Sequence, residues 1–289
     1  MKFEEFGNKV KEVRIATKPQ DLAESNIYFV LSNLLGIIKK EHSEIFDQFI
    51  EKTFQKLRSL LEERNFKDQK NQLSKILKQY KHLEDQLEFV KEHLNYFIGI
   101  LGITEDQFWE NEKLDYAVDN FMLSLYALFY VQLESLIELL TQDKAIKFYR
   151  KTVNSYNQIY NAIHQKGWYS NLTEMREKET KWLENNPYGR FRIYSEVKNG
   201  QLIRLCRNCE KFDSLKNSFL VDKEILYEIL CYMHIPLARV WNDHINLSII
   251  KSKALGDKYC AYIYTDEREV EKIVLPTNEF LDEIWEKMK

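Results

Sequence analysis

Four cysteines fall between residues 206 and 260 of this 289-residue chain, and a histidine stands three positions after one of them. Cys231 and His234 share a helical stretch at a spacing that puts both side chains on one side. A thiol beside an imidazole is the minimum for an activated nucleophile: the imidazole takes the proton and the thiolate attacks an electrophilic carbon. Cys260 lies on a strand expected to return beside that helix. Asp243 and His244 follow Trp241 and stand where they could orient a base. Cys206 and Cys209 form a C-x-x-C, and with Cys231, His234 or Cys260 they would complete a Cys₃His or Cys₄ zinc set. A redox dithiol has less behind it, because no thioredoxin-like βαβ pattern surrounds the pair. The candidate site residues are therefore Cys209, Cys231, His234 and Cys260, with zinc as the metal to test. The plainer alternative is core filling, since free cysteine is among the most buried residue types.

The elements that must position these groups read as hairpin, helix, hairpin. In RFRIYSEVKNGQLIRLCRNC, Asn199-Gly200 is a two-residue turn of the kind that needs positive φ. Counting outward predicts Val197 opposite Leu202, Tyr194 opposite Leu205 and Ile193 opposite Cys206, which gives Cys206 a packing role. Asp222 is a good N-cap for DKEILYEILCYMHI, whose Leu226, Ile229, Leu230 and Met233 share one face. In INLSIIKSKALGDKYCAYIYT, apolar and polar residues alternate, Gly256-Asp257 turns the chain, and Tyr262-Ile263-Tyr264 runs back. Trp168-Tyr169 and Tyr262/Tyr264 could wall a pocket, although aromatic residues more often fill cores.

The rest reads as helical support. A short helix is expected over 3–16, then one from Pro19 to about Lys40. An apolar stripe runs from Ile45 to Leu61, Asn65 to Asp68 breaks it, and a further helix is expected from about Gln69 to Ile100. These two helices would form an antiparallel hairpin. Thr104-Glu-Asp-Gln107 reads as a capping box. Tyr116 to Leu140 is apolar nearly all round, as buried helices are. Thr141 starts another helix, Gly167 ends it, and Asn171 or Thr173 starts the polar helix LTEMREKETKWLEN, closed by Asn186-Pro187. A strand is expected over Lys272 to Leu275, then a last helix capped by Thr277. His42, His82, His93 and His164 are expected on solvated helical faces.

This pattern predicts an α+β protein: a long helical N-terminal part over residues 1–110, then helices packed on a small antiparallel sheet over 111–289. A formal net charge of −3 leaves no basic excess to attract nucleic acid, and none is expected as a partner. No apolar run approaches the ~20 residues that span a bilayer, and MKFEEFGNKVKEVRIATKPQ lacks the apolar stretch of a signal peptide. A cytoplasmic protein is expected. No nucleotide-binding glycine loop, HExxH or G-x-S-x-G is present.

Three stretches read in order carry a family resemblance: ALFYVQLESLIELLTQDKAIKFYRKTVNSYNQIY, then LCRNCEKFDSLKNSFLVDKEILYEILCYMH, then IIKSKALGDKYCAYIY with its Gly256-Asp257-x-x-Cys260 turn. Over about residues 115–265 the chain resembles the L-2-amino-thiazoline-4-carboxylic acid hydrolase family. It is more distantly similar to 4-vinyl-reductase-type ligand-binding domains and the TRAPP-like fold. The resemblance implies helices on a small antiparallel sheet around a ligand pocket, and ring-opening hydrolysis of a small cyclic amidine-like substrate. Cys231 or Cys260 would then be the nucleophile or a pocket wall, and His234 the general base. Three positions after the helix cysteine the family more often has an acidic residue, where this chain has His234. The zinc site of the related sensory domains does not carry over, because its upstream hairpin positions hold Ile249 and Ser252. The alternative implied is a non-catalytic small-molecule sensor or interaction module, with the N-terminal helices as a homo-oligomer interface. Fold analogy alone does not choose between them.

Overall fold

The computed structural model describes residues 1–7, 14–64, 73–104, 112–185, 191–215, 218, 220 and 222–288. In chain order the elements are β1 (Phe3–Phe6), β2 (Arg14–Thr17), α1 (Pro19–Ala23), α2 (Phe29–Glu41), α3 (Phe46–Arg64), α4 (Leu73–Leu77), α5 (Leu87–Leu101), β3 (Leu114–Ala117) and α6 (Val118–Leu139). There follow α7 (Gln142–Tyr156), α8 (Ala162–Gln165), α9 (Leu172–Asn185), β4 (Arg192–Ser195), β5 (Gln201–Cys206) and α10 (Glu210–Leu215). The last are α11 (Lys223–Tyr227), α12 (His234–Trp241), β6 (Ile245–Lys251), β7 (Cys260–Asp266) and α13 (Asn278–Lys287). The expected α+β class is observed. Two compact units make up the chain: a sheet unit of residues 1–13, 157–216 and 221–289, and a helical unit of residues 14–156 and 217–220. The boundary expected at 110/111 lies outside the described residues, as do Asn65 to Asp68, Asn186-Pro187 and most of the Thr104 capping box.

In the helical unit, α3, α5 and α6 pack on one another and α2 packs on α7. Lys56 on α3 reaches Glu134 and Glu138 on α6, each at 2.7 Å. α6 is long and apolar enough to cross a membrane by length and composition, and 61% of that stretch is buried inside the structure. The single helix expected from Gln69 to Ile100 is not observed. Between α4 and α5, tight turns carry Tyr80 onto Tyr28 at 5.6 Å and bury Leu83 completely. Gly36 on α2 makes room there, since a Cβ would stand 2.7 Å from the His82 ring. His93 is likewise fully buried rather than solvated: its Nδ1 lies 2.8 Å from the Phe89 carbonyl.

The sheet unit is built on a five-stranded antiparallel sheet of order β1-β4-β5-β7-β6. The helix expected over 3–16 is replaced by β1 and by β2, which pairs with β3 in the other unit's own two-stranded sheet. Phe3 and Phe6, three apart, suit either a helix or a strand. Pairing with Arg192–Ser195 decides it, sending Phe3 to Phe280 on one face and Phe6 to Tyr194 on the other. Residues 272–275 form no strand.

The first hairpin turns at Asn199-Gly200 with φ of 51° and 64°, as expected. Its register differs by one residue from the count: Tyr194 faces Arg204, Ile193 faces Leu205 and Arg192 faces Cys206. Lys198 still pairs with Gln201, so the extra residue is absorbed around Glu196-Val197. The Ser195 hydroxyl, fully buried, fills the interrupted ladder by accepting the Ile203 N–H at 2.9 Å. This is a β-bulge, and a one-residue slip moves every side chain to the other face. Tyr194, Leu202, Cys206, Cys260, Tyr262 and Tyr264 therefore share one core with Leu172, Met175 and Leu183 of α9 and Ala238 and Trp241 of α12. Ile193, Ile203, Leu205, Ala261 and Ile263 share the other with Leu281 and Trp285 of α13.

Candidate functional site

The face of the sheet beneath α9 and α12 encloses a cavity of about 640 Å³. Local signals set its frame. Asn171 caps α9, its Oδ1 accepting the Glu174 N–H at 2.9 Å. Gly167, with φ of 72°, ends the preceding helix and leaves Trp168 and Tyr169 to form a wall with Trp241. The Tyr169 and Trp241 rings meet edge to face at 5.5 Å. Trp168 and Trp182 line the cavity and remain exposed.

The polar wall comes from β4, β5 and the start of α10: Arg192, Arg204, Cys206, Cys209 and Lys211. Arg204 is possible inside an apolar strand because it is paired and stacked. It donates to Glu179 at 3.1 Å, and its guanidinium lies 4.6 Å from the Tyr262 ring and 5.1 Å from the Tyr264 ring. Tyr194 donates its hydroxyl proton to the same Glu179 oxygen at 2.5 Å. Arg192 donates to the Asn208 carbonyl at 2.7 Å, which fixes the loop between Cys206 and Cys209. Lysine and arginine at 178, 192, 204 and 211 face a single carboxylate, Glu179, so the cavity lining is cationic.

The sequence candidates part company here. Cys231 is buried and its sulfur meets the Ser252 hydroxyl at 3.2 Å. Burial pushes its thiol up to about 12, so it stays protonated at neutral pH. It does not line the cavity, whereas His234 does. Cys231 lies within a wide π-type turn over Glu228–Tyr232, which breaks its simple three-residue registration with His234. That turn lies just before Pro236, which cannot donate to the Tyr232 carbonyl. The Lys211 ammonium donates to His234 Nε2 at 3.2 Å, which places the ring proton on Nδ1. Burial, then Lys211, Arg204 and Arg192, hold this imidazole well below its ordinary pKa and keep it neutral. Asp243 and His244 are exposed and outside the cavity lining.

Cys209 sits at the N-terminus of α10, its carbonyl accepting the Asp213 N–H at 2.7 Å. Its thiol is lowered from 9.0 to about 6, chiefly by a hydrogen bond from the Cys260 thiol. The Phe212 N–H, Arg192 and Lys211 add to this against an opposing effect of burial. Cys260 is buried and pushed up by the same hydrogen bond and by burial. It faces Cys206 across the β5–β7 ladder, and Cys206 faces Arg192 rather than the expected Ile193. Cys206, Cys209, Lys211 and His234 thus line the cavity, Cys260 pairs with Cys206 across the ladder, and Cys231 lies outside the lining. Among the described residues, no three His, Cys, Asp or Glu side chains converge as a metal ion requires.

Arg192, Arg204, Lys211, Glu179 and Trp182 were not singled out from the sequence. The one available signal was Arg204, a charge at the centre of the apolar strand QLIRLC. No family model, no curated protein and no solved structure matches the chain.

Proposed function

We propose that the cavity binds a small anionic molecule with a flat apolar part and hydrolyses it, with Cys209 as the nucleophile. The observation that carries this reading is that Cys209 lines a pocket whose other charged groups are mainly cations, surroundings that hold its thiol below the ordinary range. Arg192 and Lys211 suit a carboxylate, and the Trp168, Tyr169 and Trp241 wall suits a ring. A Cys209 thiol lowered in this way depends less on a separate base, which frees the Lys211–His234 pair to deliver a proton. The thiolate adds to an electrophilic carbon, the ring C–N or C–S bond breaks, and the leaving atom takes that proton. Water then cleaves the carbon–sulfur bond to the enzyme. The family resemblance supplies the substrate class, a cyclic amidine carboxylate.

The test is incubation with 2-aminothiazoline-4-carboxylate and mass detection of the water adduct. Turnover by the native chain and its loss in Cys209→Ser support the reading; equal turnover by Cys209→Ser refutes it. A second reading, a binding domain without catalysis, is favoured by Glu179, the carboxylate in the lining, being engaged by Arg204 and Tyr194. It predicts saturable binding that raises the melting temperature, with no product formed.

A further inference from the structure

Arg204 stands on β5, the central strand of the five-stranded sheet, and lines the cavity. Its side chain is 12% exposed and lies over the Tyr262 and Tyr264 rings. A guanidinium carries five N–H donors, yet the hydrogen bond made here is that from Nη1 to Glu179. Nε is buried without a partner, and among the described residues no hydrogen bond engages Nη2. A buried donor left unmet is costly, so this edge calls for a group that meets it. The parallel N–H groups of Nε and Nη2 match the two oxygens of a carboxylate. A dianion fits less well, because Glu179 already occupies Nη1 and a second negative charge would face it.

The opening of the cavity is aromatic. Trp168 and Trp182 line it and are 46% and 54% exposed. The Trp168 indole is fixed by its Nε1–H, which donates to the His164 carbonyl at 2.9 Å. At about 640 Å³ the cavity has room for about twenty water molecules at ~30 Å³ each, so a single five-membered ring with its carboxylate leaves much of it unfilled. We propose that the cavity takes a monocarboxylate carrying a fused two-ring aromatic system, with the carboxylate on the Nε–Nη2 edge of Arg204 and the rings against Trp168 and Trp182. This rests on the reading of the cavity as a site for a flat anion, and adds to it the anchor and the size of the ligand. Glu179 on Nη1 and the two tyrosine rings hold the guanidinium in place for that contact.

Titration calorimetry on the full chain tests this with 2-naphthoate as the probe. The expected result is saturable one-to-one binding, about tenfold or more tighter than that of 2-aminothiazoline-4-carboxylate, and no saturable binding of uncharged 2-naphthalenemethanol. Trp182→Ala, at a half-exposed position, should weaken 2-naphthoate about tenfold and octanoate little. Arg204→Gln should weaken both carboxylates about tenfold or more. Should that variant fail to fold, Glu179→Gln/Arg204→Gln replaces the ion pair by two neutral amides and leaves the net charge of the lining unchanged. Lost binding in the double variant then reports the guanidinium donors and not the general field. Undiminished 2-naphthoate binding in the folded double variant, or equal binding of octanoate or 2-naphthalenemethanol, overturns the proposal. Tighter binding of 2-naphthyl phosphate overturns the monocarboxylate. If none of these anions binds, the anion-site reading falls as well; if they bind but ignore Arg204 and Trp182, this proposal falls alone. 2-Naphthoate offers no bond to hydrolyse, so turnover by Cys209 is tested separately.

Discussion

The acidity of Cys209 can be read directly from the pH dependence of its reactivity. A thiol lowered from 9.0 to about 6 is about nine-tenths ionised at pH 7, where an ordinary one is about one part in a hundred ionised. The thousandfold gain in acidity also weakens the thiolate as a nucleophile, by about twentyfold for a Brønsted slope of 0.4–0.5. The net advantage at pH 7 is therefore only about fourfold, but at pH 5 it grows to about fortyfold. Stopped-flow reaction with a dipyridyl disulfide, native chain minus Cys209→Ser, isolates this one thiol. The expected profile rises with pH through about 6 and is flat between 7 and 9. Cys260→Ala removes the largest cause of the lowered value, the donated hydrogen bond, and should move the midpoint upward. A native profile that still climbs between pH 7 and 9 would show that Cys209 is an ordinary thiol and remove the basis for a base-free nucleophile.

His93 is buried and neutral, lowered from 6.5 to about 4 by burial, so the unfolded chain takes up this proton first as pH falls. Its contribution is full above about pH 6.5 and declines toward pH 4 by at most about 3 kcal/mol; urea midpoints across that range should fall, and His93→Phe should fall less steeply. Glu179→Gln leaves the Arg204 guanidinium unpaired in the cavity wall and should destabilise by about 3–5 kcal/mol, whereas a loss under about 1 kcal/mol in a urea melt would show the pair to be solvated. Asp222 accepts the Glu224 and Ile225 N–H groups at 2.9 and 3.0 Å, and Asp222→Ala should lower stability by about 1 kcal/mol in the same assay without changing the Cys209 profile.

Much of the frame was legible in the sequence, because its signals are chemical and local. Asp222 and Thr277 hold the N–H groups of residues two or three positions on. Asn199-Gly200 takes the positive φ that its turn demands. The alternation of Ile245, Leu247 and Ile249 and the return of Tyr262 to Tyr264 follow from the period of a strand. The site was legible only in part. Of the four cysteines and His234 picked out from the sequence, Cys206, Cys209 and His234 line the cavity, as do Trp168 and Tyr169. Which thiols line the cavity was decided by the tertiary structure. Local spacing coupled Cys231 to His234, but the wide turn before Pro236 sends Cys231 to Ser252, and Cys209 packs against a cluster that includes Cys260, 51 positions away. The β-bulge at Glu196-Val197 sets which face Tyr194 and Arg204 occupy, through a Ser195 hydroxyl that answers a strand partner, not a neighbour. β1 exists because β4 offers it a backbone ladder. Composition and period report what a segment does with its own backbone and nearest neighbours. The cavity's charge, the acidity of its thiol and the register of its wall depend on groups that only the folded chain brings together.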